Sequence, residues 1–287
     1  MGTSSSSSGS GTNTPLVPSW LDEPSGSLPS GYEPNTPDDN QDTQPDHNSD
    51  KPKPSTMSAA QPDRFRSARA NFSKFAGSGG TDQRAMRRAV RDYVRHGTGG
   101  SSNAVRRMGN SRRAASNALD IFRGIQRDGI LATLNVLNLQ NLVGRGVQEI
   151  FVGLTEIVCK DGGVIDEAIA RDAWLETIAE LDQFGIDDLD SLSSDQIEEV
   201  FLSFIAHTAE ARLYQEIGVN GFKFSENLQD IENFDNQFRE YIERTVRDSF
   251  TGDLSQISEM SNQDIYDIVD KTYLEAWNLL ELLGDRE

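Results

Sequence analysis

Three kinds of residue in this chain could do chemistry: arginines held in helical register, a few imidazole, thiol and carboxylate groups, and the amine at the very start. Nine arginines lie between residues 84 and 113. Arg84, Arg87, Arg88, Arg91 and Arg95 recur at i, i+3, i+4, i+7 and i+11, so a helix puts them on one side. Met86, Ala89, Val90, Tyr93 and Val94 recur at i, i+3, i+4, i+7 and i+8 and occupy the opposite side. Arg106, Arg107, Arg112 and Arg113 extend the basic stretch into the next segment. A guanidinium face of this kind can hold phosphates or an acidic protein surface.

The groups that usually run catalysis are sparse. His47, His96 and His207 are the only histidines, and none sits at metal-ligand spacing. Each reads as a solvated or structural imidazole, and no metal or cofactor is expected. Asp187, Asp188 and Asp190, with Glu198 and Glu199 beyond, loosely resemble a calcium loop. A loop starting at Asp188, however, has Leu192 and Ser193 where an oxygen ligand and a glycine belong. Cys159 is the single cysteine and has no histidine partner in sequence, which also leaves no disulfide framework. No phosphate loop, dinucleotide fingerprint or nucleophile elbow is present. The expectation is a protein that is not an enzyme.

The third candidate is Gly2. A small second residue favours removal of the initiator Met, and the exposed α-amine, with a pKa of about 7.7 to 8.0, is partly neutral and nucleophilic at cellular pH. Glycine adds no side chain to hinder approach. A Ser/Gly tract follows through Gly11, and then Thr14-Pro15-Leu16-Val17-Pro18-Ser19-Trp20-Leu21. Thr3, Pro15, Leu16, Val17, Pro18, Trp20 and Leu21 together suit a short extended hook that a partner protein reads. Residues 1–6 also fit the loose myristoylation pattern, but no polybasic second signal adjoins them, so lipidation is set aside.

The elements that must position these groups divide the chain by charge as well as by pattern. The whole carries a net charge of -19 over 287 residues. Residues 1–61 are rich in Ser, Gly, Pro, Asp and Asn and cannot bury a core, which predicts a disordered leader. Residues 62–128 are predicted to form a basic helical region; within it, residues 64–127 carry 15 basic and 3 acidic residues. Residues 129–287 read as an acidic helical bundle; from 128 onward there are 10 basic and 34 acidic residues. The acidic block competes with any nucleic acid for the arginines, and does so at high effective concentration.

Helix signals start weakly near Pro62 and clearly at Thr81, with Gly97 as a stop, and continue over 102–127. Further helices are expected over 130–142, 146–159, 165–184, from a cap at Ser193 or Ser194, over 232–249 and over 262–283. Trp174 and Trp277 fall on these helices as core anchors. A turn at 160–163 and one short extended piece at 221–224 interrupt them. The fold class is all-α: a helical bundle preceded by an Arg-rich helical arm and a disordered N-terminal leader. No stretch approaches the roughly 20 apolar residues of a membrane span, and no signal peptide is evident, so no membrane contact and a cytoplasmic location are expected.

Four blocks of the chain resemble one family. They are Met1-Gly2-Thr3-Ser4-Ser5-Ser6, the hook Thr14 to Leu21, Tyr93-Val94-Arg95 with Gly99-Gly100, and Gly162-Gly163-Val164-Ile165-Asp166-Glu167-Ala168-Ile169-Ala170-Arg171. Together they look like QatB, the associated protein of bacterial Qat anti-phage defence systems. The resemblance implies three neighbours: an ATPase, a TatD-like nuclease and a QueC-like enzyme of 7-deazaguanine chemistry. It further implies that a QueC-like enzyme, which activates a deazaguanine carboxylate as an adenylate, could pass the acyl group to the α-amine of Gly2. The protein would then be the modified substrate and assemble with the ATPase and nuclease. The leader here is richer in serine than the family's pattern, with Gly9 and Gly11 in place of a denser glycine tract. The competing reading is an adaptor or scaffold, unmodified, that binds nucleic acid or partner proteins through the Arg-rich region.

Overall fold

The computed structural model describes residues 63–159, 165–218 and 227–285. The leader, the turn at 160–163 and the extended piece at 221–224 lie outside the described residues. Among the described residues there is no strand, and the helices are α1 (Arg66–Gly77), α2 (Gln83–Asp92), α3 (Ser101–Arg106), α4 (Gly109–Asp128), α5 (Ile130–Val136), α6 (Val147–Val158), α7 (Ile165–Ala179), α8 (Ser194–Leu213), α9 (Leu228–Ser249) and α10 (Asn262–Leu283). The all-α expectation holds.

The predicted apolar stripes are the buried ones. Met86, Ala89, Val90, Tyr93 and Val94 of the Arg-rich segment are at most 1% exposed. They share one hydrophobic core with the acidic helices, since α2, α3 and α4 all pack against α10. Ile197, Val200, Phe201, Phe204 and Ile205 are buried on α8, which also packs on α4, α7 and α9 and has every residue from 201 to 210 buried. A helix enclosed on all sides must satisfy its polar residues inside the protein. That requirement shapes the polar clusters below.

Aromatic side chains join the elements. Phe72 and Phe75 of α1 meet Phe234 and Phe238 of α9, with Tyr214 edge-on at 5.2 Å from Phe238. Trp174 of α7 stacks on Phe151 of α6 at 5.6 Å, and Trp277 of α10 lies 5.6 Å from Tyr93. Both tryptophans are core residues, at 0% and 1% exposure.

Several boundaries differ from the sequence expectation for local reasons. The cap of α2 is Asp82, whose carboxylate accepts from Ala85 N at 2.9 Å, while the Thr81 hydroxyl donates to Ser78 O. Gly97 does not stop that helix: residues Tyr93–Thr98 form a π-helical turn, and the chain leaves it at Gly99 with φ +80°. Gly97 serves packing instead, because a Cβ there would stand 2.4 Å from the Phe65 ring. The Arg-rich stretch over 102–127 breaks at Arg107 and Met108 into α3 and α4. The expected helix over 130–142 ends at Val136, followed by a 3-10 turn at Gln140–Leu142. Ser193, rather than Ser194, caps α8, accepting from Gln196 N while its own N–H donates to Gln196 Oε1.

Candidate functional site

The nine arginines separate into three groups. Arg91 pairs with Asp92 at 2.8 Å and reaches Asp285. Arg95 contacts Glu281 at 3.1 Å and Asp285 at 2.6 Å, and Arg112 makes a two-pronged contact with Asp270 at 2.7 Å. Arg107 holds Glu216 at 2.7 Å. Four of the candidate cations are thus engaged by carboxylates, and for Arg95 and Arg112 these belong to α10 or the residues just after it. Arg84, Arg106 and Arg113 are exposed and make no ion pair among the described residues. Arg87 is half-buried, with its backbone carbonyl against Gly284, and Arg88 is half-buried and engaged. The helical register of the arginines does not translate into nine free guanidinium groups.

Glu216 is the centre of a larger buried network. Arg212 reaches it at 3.5 Å, donates to the Arg107 carbonyl at 2.7 Å and is hydrogen-bonded to Asp166. Asp166 also accepts from Asn110 N at 2.8 Å, and Arg69 donates to the Glu216 carbonyl at 3.0 Å. The start of α7, the end of α8, α1 and the α3–α4 junction are tied through these groups. Asp166 and Arg212 are residues whose separation in sequence hides the pairing.

A second buried cluster lies where α7, α8 and α9 meet. His207, 3% exposed, places Nε2 3.1 Å from Glu180 Oε2 and Nδ1 3.8 Å from Glu210 Oε2. Ser203 Oγ donates to Glu180 Oε2 at 2.8 Å, and Arg239 Nε stands 3.6 Å from Glu210. Glu243 completes the group: Glu180, His207 and Glu243 each offer one ligand-type atom, all within 4.8 Å of one another. Burial alone would depress the imidazole, but the carboxylates of Glu180 and Glu210 outweigh it and push it up to about 9. For Glu180 the desolvation penalty is overcome by His207 and Ser203, which hold its carboxyl below the usual range. Glu243 has no such donor, and burial followed by repulsion from Glu180 raises it. His96, by contrast, is exposed. The three residues come from three separate elements, so no spacing in sequence could have shown them together.

The remaining candidates have local occupations. The Cys159 thiol is buried, its sulfur donates to Ala170 O at 3.4 Å, and burial pushes it up to about 12, which keeps it from being a thiolate. Asp188 accepts from Asp190 N at 3.0 Å, and Asp190 in turn accepts from Ile130 N at 3.0 Å, satisfying an end of α5. Glu199 pairs with Arg247. A cleft of about 290 Å³ with a mixed apolar and charged lining runs between α5, the start of α6 and Asp187 to Asp190. Gly2, Thr3, Pro15, Leu16, Val17, Pro18, Trp20, Leu21 and His47 lie outside the described residues. No helix among those described is long and apolar enough to cross a membrane.

These features define an all-α protein in which much of a basic segment is closed onto acidic helices of the same chain. The family model described as Qat anti-phage system associated protein QatB matches residues 99–280, about two-thirds of the chain, and the chain belongs to that family. It is therefore a component of a Qat anti-phage defence system. The match runs from the residue that leaves the π-helical turn to near the end of α10, so α1, α2 and the leader fall outside it. No curated protein and no solved structure matches the chain.

Proposed function

We propose that this protein is the non-catalytic acceptor of its defence system: the α-amine of Gly2 is acylated by a QueC-like partner, and the modified chain assembles with the system's ATPase and TatD-like nuclease. The observation that carries the reading is the family match, joined to an N-terminus that begins Gly2-Thr3 and continues into a hook bearing Trp20 and Leu21. In the proposed step, the partner has already joined a 7-deazaguanine carboxylate to AMP. The neutral Gly2 amine attacks the acyl carbon, an amide bond forms, AMP leaves, and the proton released from nitrogen goes to solvent or to a base of the partner. A lysine amine, with a pKa of about 10.4, is far less available at the same pH.

The arrangement of the arginines supports this reading over a nucleic-acid adaptor, because Arg91, Arg95, Arg107 and Arg112 are held by carboxylates. The adaptor reading retains Arg84, Arg106 and Arg113, which are exposed. Co-expression of the full chain with the QueC-like partner separates the two. Gly2→Pro, which converts the primary amine to a hindered secondary one, abolishes conjugation, while Ser6→Ala retains it. Equal conjugation of Gly2→Pro and the unaltered chain would overturn the acceptor assignment. A pull-down with residues 62–287 is expected to lose the QueC-like partner.

A further inference from the structure

The cluster at the junction of α7, α8 and α9 has features that a buried ion pair alone does not need. The imidazole of His207 is 3% exposed, and its Nε2 lies 3.1 Å from a Glu180 oxygen but is not aligned for a regular hydrogen bond with it. Glu243 faces the same point with no hydrogen bond or ion pair of its own among the described residues. One nitrogen and two carboxylate oxygens therefore converge within 4.8 Å of one another, with no single donor that satisfies them together. Buried polar atoms without partners are uncommon, and an ion is one way to satisfy several at once.

We propose that Glu180, His207 and Glu243 form a binding site for one divalent first-row transition-metal ion, of which Zn²⁺ is the representative. The donor set of one imidazole and two carboxylates suits such an ion, whereas Mg²⁺ favours an octahedral shell of oxygens. The ligand atoms lie within 4.8 Å of one another and must close to about 3.4 Å, the edge of a tetrahedron with bonds of about 2.1 Å. Glu180 and Glu243 are partly exposed and leave an entry path, and three protein ligands leave a coordination position for water or a partner's donor.

The surroundings match what metal sites place behind their ligands. Glu210 Oε2 stands 3.8 Å from His207 Nδ1, where a carboxylate orients the ring and raises its basicity toward a metal on Nε2. Ser203 Oγ donates to Glu180 Oε2 and fixes that carboxylate. Arg239 lies against Glu210 and Glu176 and offsets part of the negative charge of the cluster. Once the His207 imidazole gives up its proton, the carboxylates of Glu180, Glu210 and Glu243 outnumber the one guanidinium, and that negative charge is what a divalent cation neutralises. On binding, the Nε2 proton leaves to solvent and the nitrogen lone pair takes the ion.

The test uses the full-length chain, stripped with a chelator and titrated with Zn²⁺ alone, with bound metal measured by elemental analysis after equilibrium dialysis. The expected result is one saturable Zn²⁺ per chain, unaffected by millimolar Mg²⁺, with a metal-dependent rise in Tm. Glu243→Gln is expected to weaken binding at least tenfold and to remove the rise in Tm while melting with the metal-free parent, because Glu243 makes no hydrogen bond that folding would miss. Glu180→Gln provides a second variant should the first fail to fold. His96→Ala, altering an exposed histidine away from the cluster, is expected to bind as the parent does. Absence of saturable Zn²⁺ binding, or binding as strong in Glu243→Gln and Glu180→Gln as in the parent, would overturn the assignment.

Discussion

Asp92 shows how a single buried carboxylate reports on the fold. Burial by itself would raise its pKa, but hydrogen bonds from Ser67 and Arg91 outweigh that and hold the carboxyl below its usual range. Asn71 Nδ2 donates to the same group at 3.0 Å. Because the folded-state pKa lies below that of the unfolded chain, near 3.9, the unfolded state binds the proton more tightly. The stabilisation is full above that value and is lost as pH falls through the lower folded value. Asp92→Asn is accordingly expected to cost about 1–3 kcal/mol at pH 7 and progressively less below pH 4, measured as the gap between urea midpoints. An undiminished gap at pH 3 would contradict the ionised role of Asp92. At this scale the sequence reveals types and not neighbours. His207 was legible as an imidazole on a helix interior, but Glu180 and Glu243 approach it only after three helices pack. Asp166 meets Arg212 by the same kind of long-range packing.

Elements were more legible than contacts, because helical periodicity and caps are local. The stripe from Met86 to Val94 is the buried face of α2 and the turn after it, and the stripe from Ile197 to Ile205 is the buried face of α8. What the local pattern missed are breaks decided by packing: the π-helical turn at Tyr93–Thr98, where Gly97 sits under Phe65, and the end of α5 at Val136. Caps give a direct check. Ser193→Ala removes the acceptor for Gln196 N at the start of α8 and is expected to cost about 1 kcal/mol, read from chemical denaturation. Ser194→Ala, one position inside the helix, is expected to change stability by less than half as much. A reversed order would place the cap elsewhere.

Across the whole molecule, charge segregation in the sequence becomes charge pairing in the fold. The Arg-rich segment carries the apolar stripe that anchors it in the common core, and its paired arginines meet acidic groups at the edge of that stripe. Exposed pairs such as Arg112 with Asp270 are each worth about 0.2–1 kcal/mol and are screened by salt. Arg112→Ala is therefore expected to cost under about 1 kcal/mol. Arg107→Ala is expected to cost more, because it leaves Glu216, only 9% exposed, with Arg212 as its remaining cation. Thermal denaturation of both variants at low and high salt checks the order, and only the Arg112 effect should shrink markedly with salt.

The same pairing bears on nucleic acid. Replacing Arg84, Arg106 and Arg113 together is expected to leave stability within about 0.5 kcal/mol, as for surface substitutions, and to reduce the salt slope of any weak DNA or RNA binding. Salt-dependent binding that survives their loss would identify another basic surface. The leader stands apart from all of this, since its role is read from residue chemistry and family membership alone.

The most direct test of the acceptor reading is the intact mass of the full-length chain purified from cells expressing the complete system, followed by fragmentation of its N-terminal peptide. Loss of Met1 and a gain equal to one 7-deazaguanine carboxylic acid less one water, localised to the nitrogen of Gly2, are the expected result. An unmodified Gly2 amine under conditions where the system protects the cell would contradict it.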